Sequence, residues 1–158
     1  LTENIEKIAE NFEDTLFVIT MGAKNSEFDI LTEKRKENMV IIDYLPYTSC
    51  FDMFDYVIHH GGAGITYNCI KYKKPSLVVP QDYDQFDFAA RIEYFETGIK
   101  AGNINDTEDI TQKLNILFNK EKWKKLEQLS EDFKKYQPYK ILDSEIKRLF
   151  QEYGGGKK

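Results

Sequence analysis

Two stretches of this chain carry residue types that can do chemistry. The first is Val57-Ile58-His59-His60-Gly61-Gly62-Ala63-Gly64-Ile65-Thr66. An apolar strand runs into two histidines, then a glycine-rich turn, then a helix. Such a junction aims backbone N–H groups and the positive end of a helix dipole at whatever lies above it, which makes an anion site, most often for phosphate. It also holds both histidines of the 158-residue chain. The second stretch, Pro80-Gln81-Asp82-Tyr83-Asp84-Gln85, follows the apolar Leu77-Val78-Val79. Carboxylates and amides at a strand end suit sugar hydroxyls. Phosphate-binding backbone beside hydroxyl-binding side chains has the character of a nucleotide-sugar site.

Each candidate has a plainer reading beside it. The adjacent histidines could be a metal pair, but neighbours in an extended strand project to opposite faces and chelate one ion poorly. We read His60 as a phosphate contact and His59 as a packed structural residue. Asp82 and Asp84 could hold a divalent ion on a diphosphate. The helix N-terminus already supplies positive potential there, so no metal is required. Asp82 and Asp87 then belong to a solvated loop and a helix first turn, while Asp84 and Gln85 bind hydroxyls through short, directional bonds. Arg91 could reach a phosphate, but a helix-surface ion pair is the simpler role. Phe86, Phe88 and Phe95 read as core. Trp123 and the late tyrosines read as packing the last helices on the sheet. Lys71, Lys73 and Lys74 read as a solvated helix end, with contact to an anionic membrane surface as the second reading.

The elements that must position these residues follow from apolar patterning. Continuous apolar runs at residues 15–20 and 39–43 read as strands buried on both faces. Further strands are expected at 56–59, 76–79 and 99–101. Helices are expected at 2–12, 63–72 and 85–95, with a short one at 49–54. The polar segment 21–38 has room for another short helix. Beyond Asn105 the pattern is helical only, over 107–119, 121–136 and 139–153. This implies an α/β fold with a Rossmann-like parallel sheet and a C-terminal helical extension. Its core would span residues 1–105, the helices of the same domain 106–153, and a flexible tail 154–158. Ligands of such sheets bind beyond the carboxyl ends of the strands. Tyr44 to Tyr47, His59 to Thr66 and Pro80 to Gln85 all fall at such ends.

Composition narrows the class. With 22 basic and 27 acidic side chains the net charge is −5, which argues against a nucleic-acid surface. Two lone cysteines, Cys50 and Cys69, form neither a disulfide framework nor a zinc spacing and read as reduced thiols. Reduced thiols make the cytoplasm the default compartment, and no apolar run approaches the ~20 residues that span a bilayer.

In order and spacing, DYLP at 43–46, VIHHGGAGITYN at 57–68, KKPSLVVPQDYDQ at 73–85 and AARIEYFETGI at 89–99 form one composite. It resembles the donor-binding half of the GT-B glycosyltransferases of family 1, the UDP-glycosyltransferases and their bacterial antibiotic-type relatives. The resemblance implies the C-terminal half of a GT-B fold and a UDP-sugar co-substrate, with neither metal nor cofactor. It places Tyr44 as a ring stacking on the base and the Leu45 backbone on the uracil edge. His60 and the N–H groups of Gly62, Ala63, Gly64, Ile65 and Thr66 fall on the diphosphate, and Asp84 and Gln85 on the donor sugar.

Two positions depart from the family. A phosphate-binding Ser or Thr is replaced by Ile65, so that Thr66 or the backbone must serve. A ribose-binding glutamate is replaced by Asn68. UDP is the first nucleotide implied and TDP the second. The family draws its catalytic base from a preceding acceptor-binding domain, and both histidines here sit in the donor motif. No catalytic residue is therefore expected in this chain. It reads as the C-terminal portion of a longer hexosyltransferase. The alternatives are the donor-binding subunit of a split transferase with peripheral membrane association, or a UDP-sugar epimerase of the same fold.

Overall fold

Ser76, Leu77 and Val78 are all buried, which is why Ser76–Val78 becomes the middle strand of a parallel sheet. The computed structural model describes residues 2–20 and 32–154. In chain order the strands are β1 (Phe17–Thr20), β2 (Thr32–Lys36), β3 (Met39–Ile42), β4 (Val57–His59), β5 (Ser76–Val78) and β6 (Gly98–Lys100). The helices are α1 (Thr2–Ala9), α2 (Tyr47–Cys50), α3 (Ala63–Lys71), α4 (Gln85–Tyr94), α5 (Thr107–Leu117), α6 (Lys124–Lys135) and α7 (Pro138–Tyr153). Short 3-10 turns at Phe51–Met53 and Lys120–Trp123 follow α2 and precede α6.

The strands form two three-stranded sheets, ordered β1-β3-β2 and β4-β5-β6. The second is parallel throughout, with Val57 opposite Ser76, His59 opposite Val78, and Val78 opposite Lys100. A Cβ at Gly98 would collide with the Ser76 carbonyl oxygen, so β6 approaches β5 where only glycine fits. The two faces of β5 are covered differently. Leu77 and Val79 join Phe17, Met39 and Ile41 of the other sheet, together with Ile8 of α1, Ile110 and Leu114 of α5, and Trp123. Val78 packs on Ala89 and Ile92 of α4.

Sequence expectation and structure part at particular elements. A single sheet was expected, and two hydrogen-bonded sheets are found, sharing one core. Thr32–Lys36, inside a segment with room for a short helix, is instead an edge strand antiparallel to β3. Its charged sequence suits an edge, and its register shifts between Lys34 and Lys36. Residues 21–31 and all but Gly154 of the expected tail lie outside the described residues. β1 is fully buried only at Phe17.

The C-terminal helices divide. Asp106 caps α5 by accepting from the Asp109 N–H at 3.0 Å. Trp123 is buried as expected and donates Nε1–H to the Leu117 carbonyl at 2.7 Å. α6 rides on α3 through Tyr67 stacked on Phe133 at 5.8 Å and the Ser130 hydroxyl donating to the Lys71 carbonyl. The late tyrosines depart from expectation. Tyr136, Tyr139 and Tyr153 are exposed, and α7 buries none of its residues. Phe86 and Phe95, expected in the core, are also exposed, because α4 turns Ala89 and Ile92 inward instead.

Candidate functional site

The glycine turn is built from inside outward. His59, the last residue of β4, is buried at 9 % exposure. Its Nδ1 accepts the Gly61 N–H at 3.0 Å. Burial first, and the neighbouring His60 second, push its imidazole down from 6.5 to about 4. The ring is therefore neutral, as an Nδ1 acceptor must be. Its Nε2 has no hydrogen-bond partner among the described residues.

Gly61 adopts φ +99°, a conformation that favours glycine. Gly62 then takes an extended conformation as N-cap of α3. The Thr66 N–H and the Thr66 hydroxyl both donate to the Gly62 carbonyl, at 3.1 and 2.9 Å. Thr66 is buried, and both its donors fix the turn. That leaves the N–H groups of Ala63, Gly64 and Ile65, the first turn of α3, without intrahelical acceptors. The exposed His60 lies over the same corner: a Cβ at Gly62 would meet its Nε2 at 2.8 Å. Three backbone donors, a helix dipole and an imidazole thus share one helix end. One turn on, Asn68 donates Nδ2–H to the Gly64 carbonyl at 2.9 Å.

The loop after β5 lies directly beside this turn. The Gln85 side-chain oxygen accepts from the Gln81 N–H at 2.8 Å and the Asp82 N–H at 3.2 Å. Gln81 donates its own amide to the Val79 carbonyl. The loop is therefore tied at both ends, and Gln85 retains its Nε2 as the group it can offer outward. Asp84 is N-cap of α4, yet its carboxylate makes no capping bond. It is exposed and has no side-chain partner among the described residues. Asp87 is held by Arg91 across one helical turn at 2.9 Å, the surface ion pair expected for Arg91.

Tyr44 and Leu45 leave the carboxyl end of β3 in the other sheet, Tyr44 at 40 % exposure and Leu45 half-buried. The shared core holds that sheet to this one. Lys73 pairs with Glu127 and Glu131, Lys74 donates to the Asp52 carbonyl, and Lys71 lies over the Tyr72 ring. The basic group is thus engaged by its own fold. Both cysteines are free thiols, and burial pushes Cys69 up to about 12. Among the described residues no three His, Cys, Asp or Glu side chains gather as metal ligands, and no helix is long and apolar enough to cross a membrane.

An apolar hollow of about 320 Å³ lies elsewhere, between α3, α4 and α6, lined by Tyr67, Phe88, Phe95 and Phe133. Arg91 also lines it, with its guanidinium already paired to Asp87. The glycine turn and the loop after β5 lie instead at the carboxyl ends of β4 and β5.

Sequence reasoning located the turn and the loop. It missed the internal bonds that hold them, from His59 to Gly61 and from Gln85 to Gln81 and Asp82. The paired histidines were the one available signal for the first; nothing in the sequence announced the second.

The fold is that of a GT-B half-domain, and solved structures share it. The glycosyltransferase of kitacinnamycin superposes with a TM-score of 0.78 at 15 % identity, over 93 % of this chain and 38 % of that one. The spinosyn rhamnosyltransferase SpnG complexed with thymidine diphosphate superposes with a TM-score of 0.67 at 20 % identity, over 82 % and 35 %. Residues 8–139 match the family described as erythromycin biosynthesis protein CIII-like, C-terminal domain, and the chain belongs to that family. Sterol 3-beta-glucosyltransferase of Vanderwaltozyma polyspora is 36 % identical over 69 residues, covering 44 % of this chain and 6 % of that protein. The chain thus spans well under half the length of these relatives.

Proposed function

We propose that this chain is the donor-binding half of an inverting glycosyltransferase that moves a hexose from UDP to a hydroxyl acceptor. The observation that carries the reading is the start of α3, where the N–H groups of Ala63, Gly64 and Ile65 have no intrahelical acceptors and the His60 ring lies against Gly62. These groups take the diphosphate, with Thr66 and Gly62 holding the turn. Tyr44 and Leu45 take the base, and the Asn68 side-chain oxygen a ribose hydroxyl. Asp84 and the Gln85 amide take the donor sugar.

In the reaction the acceptor hydroxyl attacks the anomeric carbon as the bond to the diphosphate oxygen breaks. Its proton passes to a base in the N-terminal acceptor-binding half, a domain or partner subunit outside this chain. The contribution of this half is electrostatic. Preorganised N–H donors and the helix dipole meet the charge that grows on the departing diphosphate, and no metal is needed for that role. The relatives' names favour glucose as the sugar, and the thymidine diphosphate bound by one structural neighbour keeps TDP as the second nucleotide.

Amide NMR of the isotope-labelled chain tests the site. UDP is expected to shift the resonances of Ala63, Gly64, Ile65 and Gln85. Shifts confined to the hollow between α3, α4 and α6 would refute the assignment.

A further inference from the structure

Among the described residues three non-glycine residues have positive φ: Lys73 at 56°, Tyr83 at 47° and Glu96 at 54°. Two of them have an evident structural cause. Lys73 and Glu96 each follow the C-cap of a helix, α3 and α4. At α3 the Lys74 N–H returns to the Cys69 carbonyl and the Lys73 N–H to Ile70. At α4 the Thr97 N–H returns to Ile92 and the Glu96 N–H to Glu93. This is the left-handed cap on which many helices end. Both side chains are also secured, Lys73 on Glu127 and Glu96 on Lys125.

Tyr83 shares neither explanation. It lies before a helix, not after one. Its side chain is 92 % exposed and meets no other ring among the described residues. A bulky residue pays strain at this φ, and glycine would occupy it freely. The backbone beneath is rigid, because Gln85 clamps Gln81 and Asp82 on one side of Tyr83 and Asp84 opens α4 on the other. The fold thus presents an aromatic face from a fixed loop, at a stability cost, with nothing of its own to cover it. The turn's own hydrogen bonds hold the strained backbone, but none of them uses the Tyr83 ring, and strain kept at a side chain the fold does not use points to function.

We propose that Tyr83 determines donor specificity by stacking its ring on the apolar face of the transferred hexose, while the adjacent Asp84 and Gln85 hold the hydroxyls at the sugar's edge. The proposal rests on the reading of this loop as the donor-sugar loop. A planar ring on a fixed backbone gives up little freedom on binding, which makes it an efficient contact for a saturated ring.

The test compares UDP with UDP-glucose by calorimetric titration of the full chain, for the natural protein, Tyr83→Phe and Tyr83→Gly. The natural protein should bind UDP-glucose more tightly than UDP, and Tyr83→Phe should keep that preference. Tyr83→Gly should lose about fivefold in UDP-glucose affinity while its UDP affinity stays unchanged. It should also melt no lower than the natural protein, since glycine relieves the strained φ, so unfolding does not account for the loss. A glycine variant that keeps the full sugar preference overturns the proposal. So does a natural protein with no preference for UDP-glucose over UDP, and that result leaves the nucleotide reading standing. Failure of the natural protein to bind UDP at all overturns both.

Discussion

A Cβ at Gly61 would stand 3.0 Å from the main-chain carbonyl oxygen of Gln85 and 3.0 Å from a methyl of Val78. The glycine turn and the loop after β5 therefore touch through a position that glycine fills at φ +99°. The two segments proposed to form one ligand site are set against each other by backbone.

Gly61→Ala should consequently damage both halves. The strained φ and the two close contacts together should cost about 2 kcal/mol of stability. UDP affinity should fall by at least about tenfold as the turn shifts away from α3. Urea denaturation beside calorimetry checks both numbers, and an alanine variant that matches the natural protein in each would contradict the packing described.

His59 makes the fold sensitive to acid. Its imidazole titrates near 6.5 when unfolded and at about 4 in the fold, where burial and then His60 oppose the charge. Between these values the unfolded chain binds a proton that the folded chain refuses. Stability should therefore be flat above pH 7 and fall as pH drops from about 6.5 to about 4, by about 3 kcal/mol from this group. His59→Asn retains an oxygen to accept the Gly61 N–H and does not titrate. The carboxylates contribute equally to both proteins, so the difference between their urea midpoints at pH 7, 5.5 and 4.5 isolates His59. Parallel pH profiles would contradict the assignment.

These bonds show what the sequence conveyed and what it withheld. The glycine turn was legible because histidine, glycine and a following helix occur in a fixed order at a strand end. β5 was legible because three buried residues in a row leave few alternatives to a central strand. β2 was not, because Thr-Glu-Lys-Arg-Lys has no apolar pattern and becomes a strand only by pairing with β3. The exposure of α7 was equally hidden: its amphipathic pattern shows that one side is apolar, not what covers it. The candidate site residues were chosen by type. The spending of Thr66 on the Gly62 carbonyl was not legible, since a threonine one turn into a helix can face either way.

Gln85 offers a separate test of loop rigidity. Gln85→Leu removes the acceptor of the Gln81 and Asp82 N–H groups, whereas Gln85→Glu keeps an oxygen there. Hydrogen exchange at those two amides should quicken by about tenfold in the leucine variant, in line with the loss of one modest hydrogen bond at each, and little in the glutamate variant. Equal exchange in all three proteins would show that the clamp does not hold the loop.

The central claim is that the start of α3 and His60 bind a nucleoside diphosphate without a metal. Calorimetric titration of the chain with UDP, with and without a chelator, and repeated on His60→Ala, addresses it most directly. The expected result is binding that the chelator leaves unchanged and that His60→Ala weakens by about tenfold, the effect of losing one charge-assisted hydrogen bond. A folded chain that binds no UDP, that binds it only with a divalent ion, or that binds it equally well without His60 would contradict the account.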